Sequence, residues 1–159
     1  MTDKCDTRPS YSQALDRFFH ANLGQLTTGI SPAALLLAFV DWYIHLRFHP
    51  GKQIELIEQA HNFSWRLWCS LLSTLAENNE NEFCIKPSAR DKRFTDESWQ
   101  QYPYSTIYQS FLLLQEWWQY ATTSVRGVSR HHEDVTKFTV RQILDMFSPS
   151  NSPLTNPEV

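Results

Sequence analysis

The chain has 159 residues, which allows one domain with a real core or two small helical subdomains. A hydrophobic content of 42% against 19% charged residues indicates a folded protein, and a net charge of −3 gives no sign of the basic surface that nucleic-acid binding requires. The cysteines, Cys5, Cys69 and Cys84, form no CxxC pair, which argues against a disulfide framework or a zinc knuckle and favours a reducing, cytoplasmic compartment.

The first predicted elements are a polar tail and an amphipathic helix. Residues 1–10 contain Pro9 and lack the apolar run of a signal peptide, so we expect a flexible tail. A helix is predicted from Tyr11 to about Leu26, because apolar side chains recur along it at helical spacing: Leu15, Phe18, Phe19 and Leu23.

The second predicted helix runs from Pro32 to about Phe48 and is apolar on every side over its first half. Ser31 suits the N-cap, a proline suits the first helical position, and Pro50 with the following glycine is expected to end the helix. The apolar run is interrupted at Asp41 and is too short to span a bilayer. We therefore expect other helices, a partner, or an apolar lipid or polymer surface to cover it.

A third amphipathic helix is predicted from Lys52 to about Glu77. Apolar and aromatic positions recur along it at helical spacing and define one face: Ile54, Ile57, His61, Trp65, Trp68, Leu72 and Leu75. The polar residues 78–90 that follow are predicted to be a linker between two helical blocks, 11–77 and 91–159.

The second block is predicted to contain a short loop or helical turn up to Trp99, helices at about 103–124 and 129–147, and a Pro-rich extended tail. Trp117 and Trp118 point about 100° apart on their helix, so we expect one of them to belong to an interface. Since no stretch alternates with period two, the sequence predicts an all-α fold with five main helices in two blocks.

Two clusters of polar residues raise the question of a metal site. Asp41, His45 and His49 share one side of the second helix, and a histidine pair followed by Glu133 and Asp134 begins the fifth. The sequence offers no Cys or Glu cluster to complete either ligand set. We therefore interpret the first cluster as a hydrogen bond from His45 to Asp41 and the second as acidic side chains at a helix N-terminus, with no metal and no cofactor.

A third polar cluster lies around Arg93. Asp91 and Asp96 could hold its guanidinium, which could stack on Trp99 and fix an irregular turn. The alternative is a contact with a catalytic domain or a second subunit, because polar and aromatic clusters are common in interfaces. The residues alone leave both interpretations open.

Two motifs resemble bacterial poly(3-hydroxyalkanoate) synthases, the polyhydroxybutyrate polymerases. The first comprises Gly29, Ser31 to Leu35, Asp41, Trp42, His45, Leu46 and Pro50 to Gln53. The second comprises Asp91 to Trp99, with Arg93 and Phe94, and Lys137 to Val159, with Asn151 and Asn156. The resemblance covers roughly residues 11–77 and 91–159, and departs from the family at Ser152, where an aromatic residue is usual.

The resemblance implies an acyltransferase that polymerises (R)-3-hydroxyacyl-CoA through a Gly-x-Cys-x-Gly elbow on an α/β-hydrolase domain. None of the four glycines here flanks a cysteine at that spacing, so we expect this chain not to be an enzyme by itself. The resemblance implies dimerisation, attachment to polyester granules or their phasin-like coat proteins, and support of the synthase catalytic domain, at a cytoplasmic or granule-associated location. Two alternatives are a stand-alone regulatory helical protein and an acyltransferase that uses one of its own cysteines.

We expect the structural and interaction role to fall on the motif residues and on apolar residues that one core cannot cover. No catalytic residue is assigned. The candidates are Ser31, Pro32, Leu35, Leu36, Phe39, Asp41, Trp42, His45, Asp91, Arg93, Phe94, Trp99, Trp117, Trp118, Asn151 and Asn156.

Overall fold

The computed structural model describes residues 11–26, 31–75, 85 and 91–158. These residues form five α-helices and no strand, so the all-α prediction is confirmed. The helices are α1 Tyr11–Leu26, α2 Pro32–Arg47, α3 Pro50–Leu75, α4 Tyr104–Thr122 and α5 Arg130–Met146, with 3₁₀ turns at Glu97–Gln100 and Pro149–Asn151. The predicted tail, Cys5, Gly29, Cys84 and nearly all of the predicted linker lie outside the described residues.

The chain divides into two compact units, and the division falls within α2, between Leu37 and Ala38. The described part of the first unit is α1 with the start of α2. The apolar stripe predicted for α1 is exposed, since Leu15, Phe18 and Phe19 keep more than half of their surface accessible.

In the second unit, α4 is the central helix and packs against both α3 and α5. Its N-terminal half forms an aromatic core with the loop before it, and its C-terminal half forms an apolar cluster with Trp42 of α2 and Leu56 of α3. Helices that the sequence assigns to separate blocks therefore share one core.

The corner between α2 and α3 differs from the prediction. We expected Pro50 to end the second helix, but α2 already ends at Arg47 and Pro50 is the first residue of α3. This position suits proline because its missing N–H would have no helical partner there. The Gln53 side chain donates to the carbonyls of Leu46, at 2.9 Å, and Arg47, at 2.8 Å. The segment that ends the first motif thus closes the C-terminus of α2.

The face of α3 that packs is not the one predicted. Leu56 and Phe63 are buried and Leu67 is half-buried, and they lie on the α4 side. The predicted face is exposed, with accessible fractions of 56% for Ile54, 68% for Ile57, 62% for Trp65, 55% for Trp68 and 48% for Leu72. The helix has two apolar stripes on opposite sides, and periodicity alone could not tell which one enters the core.

We expected one of Trp117 and Trp118 to belong to an interface, yet both pack against one cluster of this chain. Both are half-buried, lie edge to face with ring centroids 5.3 Å apart, and pack against the same cluster. Trp117 donates through Nε1 to the carbonyl of Leu56, at 2.9 Å, while the ring of Trp42 covers Trp118 at 6.4 Å. Trp117 therefore packs toward α3 and Trp118 toward α2.

The C-terminal tail is folded into turns, where we expected an extended segment. Asn151 donates through Nδ2 to the carbonyl of Asp145, at 2.7 Å, and Asn156 donates to the carbonyl of Ser150, at 3.0 Å. Thr155 closes a further turn onto the carbonyl of Pro149, at 2.8 Å. Because each proline here lacks a donor, side-chain amides and hydroxyls add to the backbone hydrogen bonds that fix the turns.

Candidate interaction site

The polar residues of the first motif hold α2 against the start of α5. Nδ1 of His132 lies 2.6 Å from Oδ2 of Asp41, and Nδ1 of His45 lies 3.1 Å from Oδ1 of the same carboxylate. The hydrogen bond from His132 keeps the pKa of Asp41 below its ordinary value. The predicted contact between His45 and Asp41 is therefore present. We call Asp41 and its two histidines the Asp41 clamp.

Two neighbours complete the Asp41 clamp. Trp42 is 5% exposed and donates through Nε1 to the carbonyl of Ala121, at 2.8 Å, near the end of α4. Gly127 lies in the loop between α4 and α5 with φ of +93°, and a Cβ there would overlap the ring of His45. The motif Asp41-Trp42-x-x-His45 thus recognises the corner between α4 and α5 of its own chain.

Near the Asp41 clamp, one hydroxyl serves as a helix cap. Ser129, the hydroxyl nearest to His132 along the chain, accepts from the backbone N–H of His132 at 3.2 Å as the N-cap of α5. Cys69 is exposed on α3. Among the described residues, no three His, Cys, Asp or Glu side chains converge on a point that could hold a metal ion.

The second motif forms a charged cluster that we call the Arg93 clamp. Nε and Nη2 of Arg93 donate to the two oxygens of Asp91, at 2.9 and 2.7 Å, and Nη1 donates to Asp145 of α5, at 2.8 Å. The guanidinium lies 5.4 Å from the ring of Phe94 and 5.6 Å from that of Phe111. Hydrogen bonds from Arg93 hold the pKa of the Asp91 carboxyl below its usual range.

The expected partners of Arg93 are right for Asp91 and wrong for Asp96 and Trp99. Asp96 instead accepts from the backbone N–H of Ser98, at 2.8 Å, and caps the 3₁₀ turn. Trp99 is fully buried against Phe94 and donates through Nε1 to Oε1 of Glu158, at 2.7 Å. The Arg93 clamp and its aromatic core therefore join the beginning and the end of the second motif.

Sequence reasoning missed four residues that complete these clamps and their core: Gly127, His132, Asp145 and Glu158. Each acts on a residue far away along the chain, since His132 is 91 positions from Asp41 and Glu158 is 59 positions from Trp99. Local spacing carries no signal for such pairs. The one available hint was Gly127 after the end of a helix, where a positive φ is common.

The outward side of α2 is apolar and exposed. In the second unit we define the α2 outer face as Phe39, Val40, Tyr43 and Ile44 with Phe48, which directly follows the helix; their accessible fractions lie between 41% and 78%. In the first unit, Ser31, Pro32 and Leu36 are exposed and Leu35 is half-buried. Within the second unit, Asp41, Trp42 and His45 thus face the fold, while Phe39, Val40, Tyr43 and Ile44 are exposed.

A second apolar surface lies on α3. We define the α3 outer stripe as Ile54, Ile57, Trp65, Trp68 and Leu72, all exposed, with exposed His61 between them. It extends over about 27 Å at the helical rise of 1.5 Å per residue. Two exposed tryptophans on one stripe are unusual for a free surface and typical of contact sites.

A groove of about 1230 Å³ with a mixed polar and apolar lining lies between α4 and α5. Lys137, Arg141 and the Arg93 clamp line it, opposite Glu116 and Gln119. The basic and acidic side chains are mixed, so the groove does not favour an anionic ligand over a cationic one. None of the described helices is long and apolar enough to cross a membrane.

The two motif regions match two protein families. Residues 10–52 match the family described as Poly-beta-hydroxybutyrate polymerase N terminal, and residues 90–159 match the family described as Poly-beta-hydroxybutyrate polymerase (PhaC) N-terminus. Both clamps have their motif residues in the matched regions, whereas the α3 outer stripe lies between them.

Curated relatives give the same result. Over 111 residues the chain is 35% identical to a Poly(3-hydroxyalkanoate) polymerase of Methylorubrum extorquens and 34% identical to a Poly(3-hydroxyalkanoate) polymerase subunit PhaC of Rhizobium meliloti (strain 1021). Each alignment covers 69% of this chain and 18% of the relative. A PhaC subunit of Rhizobium etli is 34% identical over 71 residues, 44% of this chain and 11% of its own. No solved structure matches the chain significantly.

Proposed function

We propose that this chain, which belongs to the poly-beta-hydroxybutyrate polymerase N-terminal family, is a non-catalytic module of polyhydroxyalkanoate synthesis. In this role it supports dimerisation, attachment to the polyester granule or its coat proteins, and the synthase catalytic domain. The names of its relatives describe polymerases, and the chain spans less than a fifth of the length of each. The polymerising activity is therefore not assigned to this chain.

The observation that carries the proposal is that α2 packs on this chain through its motif residues and leaves the α2 outer face exposed. Asp41, Trp42 and His45 are used to fasten the helix to the corner between α4 and α5. Between Phe39 and Ile44 the only charged residue is Asp41. Its side chain contacts His132 and does not belong to the α2 outer face. A rigid apolar face of this kind suits an apolar, water-insoluble polyester surface, because contact removes exposed side chains from water.

Co-sedimentation of the full chain with poly(3-hydroxybutyrate) particles tests this attachment. We expect Ile44→Lys, on the α2 outer face, to reduce the bound fraction at least tenfold with an unchanged melting temperature. Leu154→Lys is the matched control, because Leu154 is 91% exposed and lies in the C-terminal tail, away from α2. Equal binding by both variants would contradict granule attachment through α2.

The non-catalytic assignment has its own assay, which is release of CoA from (R)-3-hydroxybutyryl-CoA. We expect no release above buffer from the wild type. The exposed Cys69 sits in the middle of a helix, where no strained turn presents its thiol, and none of the residues the structure describes next to it is a histidine. Turnover that disappears in Cys69→Ser would overturn this part of the proposal.

A further inference from the structure

We propose that residues 38–47, the part of α2 that belongs to the second unit, form a strap that opens as one piece while α3, α4 and α5 stay folded. We call these residues the α2 strap; they begin where the two compact units divide. The open form is a minor, transient form of the folded chain. The opening goes beyond the proposed function, and only its consequence for attachment rests on that proposal.

The first argument is how little of the α2 strap is buried. Its buried residues are Ala38 and Trp42, with 1% and 5% of their surface exposed, whereas eight residues of α4 are buried. Most of its other apolar side chains belong to the α2 outer face and gain nothing from the closed position. A segment with so few buried apolar contacts opens at a lower free energy than the core around it. The α2 strap should therefore separate from the fold before α4 unfolds.

The second argument is the nature of the polar contacts that hold the α2 strap. Nε1 of Trp42 donates to the carbonyl of Ala121, and Asp41 is bonded to His132 and to the backbone of Ser129. The side chains of Asp41 and His132 keep 26% and 32% of their surface exposed, so water can replace their contact during opening. The buried indole is thus the main anchor, and Asp41 is a latch that solvent reaches.

The third argument is the corner at the end of the α2 strap. Only Phe48 and His49 lie between α2 and α3. Gln53 donates to the carbonyls of Leu46 and Arg47, so the end of the strap is tied to the start of α3. A short connection of this kind can absorb the backbone rotation of a hinge. Rotation at the corner therefore moves the strap as a helix and keeps its last turn beside α3.

Opening changes the apolar surface that this corner of the molecule offers. In the closed form, Trp42 and the half-buried Leu46 pack on a cluster that contains Leu56 and Ala121. In the open form, both side chains add to the α2 outer face, and the cluster itself becomes accessible. The equilibrium between the two forms therefore sets how much apolar surface is available for contact with a polyester particle.

Alkylation of a single buried thiol with iodoacetamide measures the opening in solution, without particles. In a chain with Cys5→Ser, Cys69→Ser and Cys84→Ser, Ala38→Cys places the thiol on the buried side of the α2 strap. Ser105→Cys is the matched control, since Ser105 is also buried and lies at the opposite end of α4 from the strap's anchor.

We expect the thiol at position 38 to react at least about tenfold faster than the thiol at position 105. Its rate should change little in urea below the unfolding transition, because a local opening exposes little surface. Equal rates with the same dependence on urea would show that the α2 strap leaves only on global unfolding, and would overturn the proposal.

Variants of the latch connect the opening to the Asp41 clamp. His132→Ala removes a partner of Asp41 and should raise the alkylation rate at position 38 about threefold, with no change at position 105. His131→Ala is the matched control, because His131 is exposed and its ring lies beside that of His132. Equal effects of the two variants would contradict a latch at Asp41.

Hydrogen exchange of the unsubstituted chain tests the opening without a new cysteine. Amides of residues 38–47 should exchange at least about tenfold faster than the amides of α4. Equal protection of the two helices would overturn the α2 strap. Binding to polyester particles is measured separately, so a failure of granule attachment would leave the result on the opening unchanged.

Discussion

Both clamps hold together segments that are distant along the chain, but they do so with different chemistry. The Asp41 clamp joins α2 to α5 through a carboxylate and two half-exposed histidines, above a buried tryptophan. The Arg93 clamp uses a permanently charged guanidinium with a fork of two hydrogen bonds, above a mainly aromatic core. From this difference we expect the stability of the first clamp to depend mainly on the fit of Trp42 and Gly127. The stability of the second should depend mainly on aromatic packing.

The largest effect is expected from removing the aromatic centre of the second clamp. Trp99 has no exposed surface and contacts Phe94, Tyr104 and Tyr108. Trp99→Ala should lower the free energy of unfolding by about 3–5 kcal/mol, the usual cost of such a cavity. Urea denaturation followed by circular dichroism measures it. A loss below 1 kcal/mol would show that packing is not decisive there.

The next effect concerns shape in the first clamp. Gly127→Ala introduces a Cβ at a positive φ and against the ring of His45, and should cost about 1–3 kcal/mol. His45→Ala in the same chain removes the overlap and should recover part of the loss. A double-mutant cycle measures this coupling. Strictly additive effects would mean that Gly127 and His45 do not form one contact.

A smaller effect distinguishes the indole hydrogen bonds. Trp42→Phe leaves the buried carbonyl of Ala121 without its donor and should cost about 1–3 kcal/mol. Glu158→Gln keeps an acceptor for Nε1 of Trp99 and leaves the buried ring in place, so the charge of the exposed Glu158 should contribute less than about 1 kcal/mol. Denaturant midpoints of the two variants test the order. The reverse order would contradict our distinction between the clamps.

The smallest effect is the response to acid. The pKa of Asp91 is lower in the folded chain, so its contribution to stability is present above the unfolded pKa of about 3.9 and is lost as pH falls through the folded pKa. The difference in melting temperature between wild type and Asp91→Asn should be constant above about pH 5 and shrink below pH 3.9. A difference that already shrinks between pH 7 and 5 would point to a histidine instead.

The helices could be predicted from sequence to within two residues at each end, because periodicity, prolines and N-caps are local signals. The clamps could not, since Asp41 and His132 or Trp99 and Glu158 meet only after the chain has folded. The stripe of α3 was assigned to the wrong side for a third reason. Both sides of that helix are apolar, and a pattern with two suitable faces does not say which one meets α4.

The tryptophans differ in their exposure to solvent, so their fluorescence can report changes in the chain without a label. Trp42 and Trp99 are shielded from solvent, whereas Trp65 and Trp68 are among the most exposed side chains of α3. Emission from the first pair should stay at short wavelength in any folded state, while emission from the second pair should move to shorter wavelength whenever the stripe becomes covered. Intrinsic fluorescence can therefore follow association of α3 without a label, separately from unfolding.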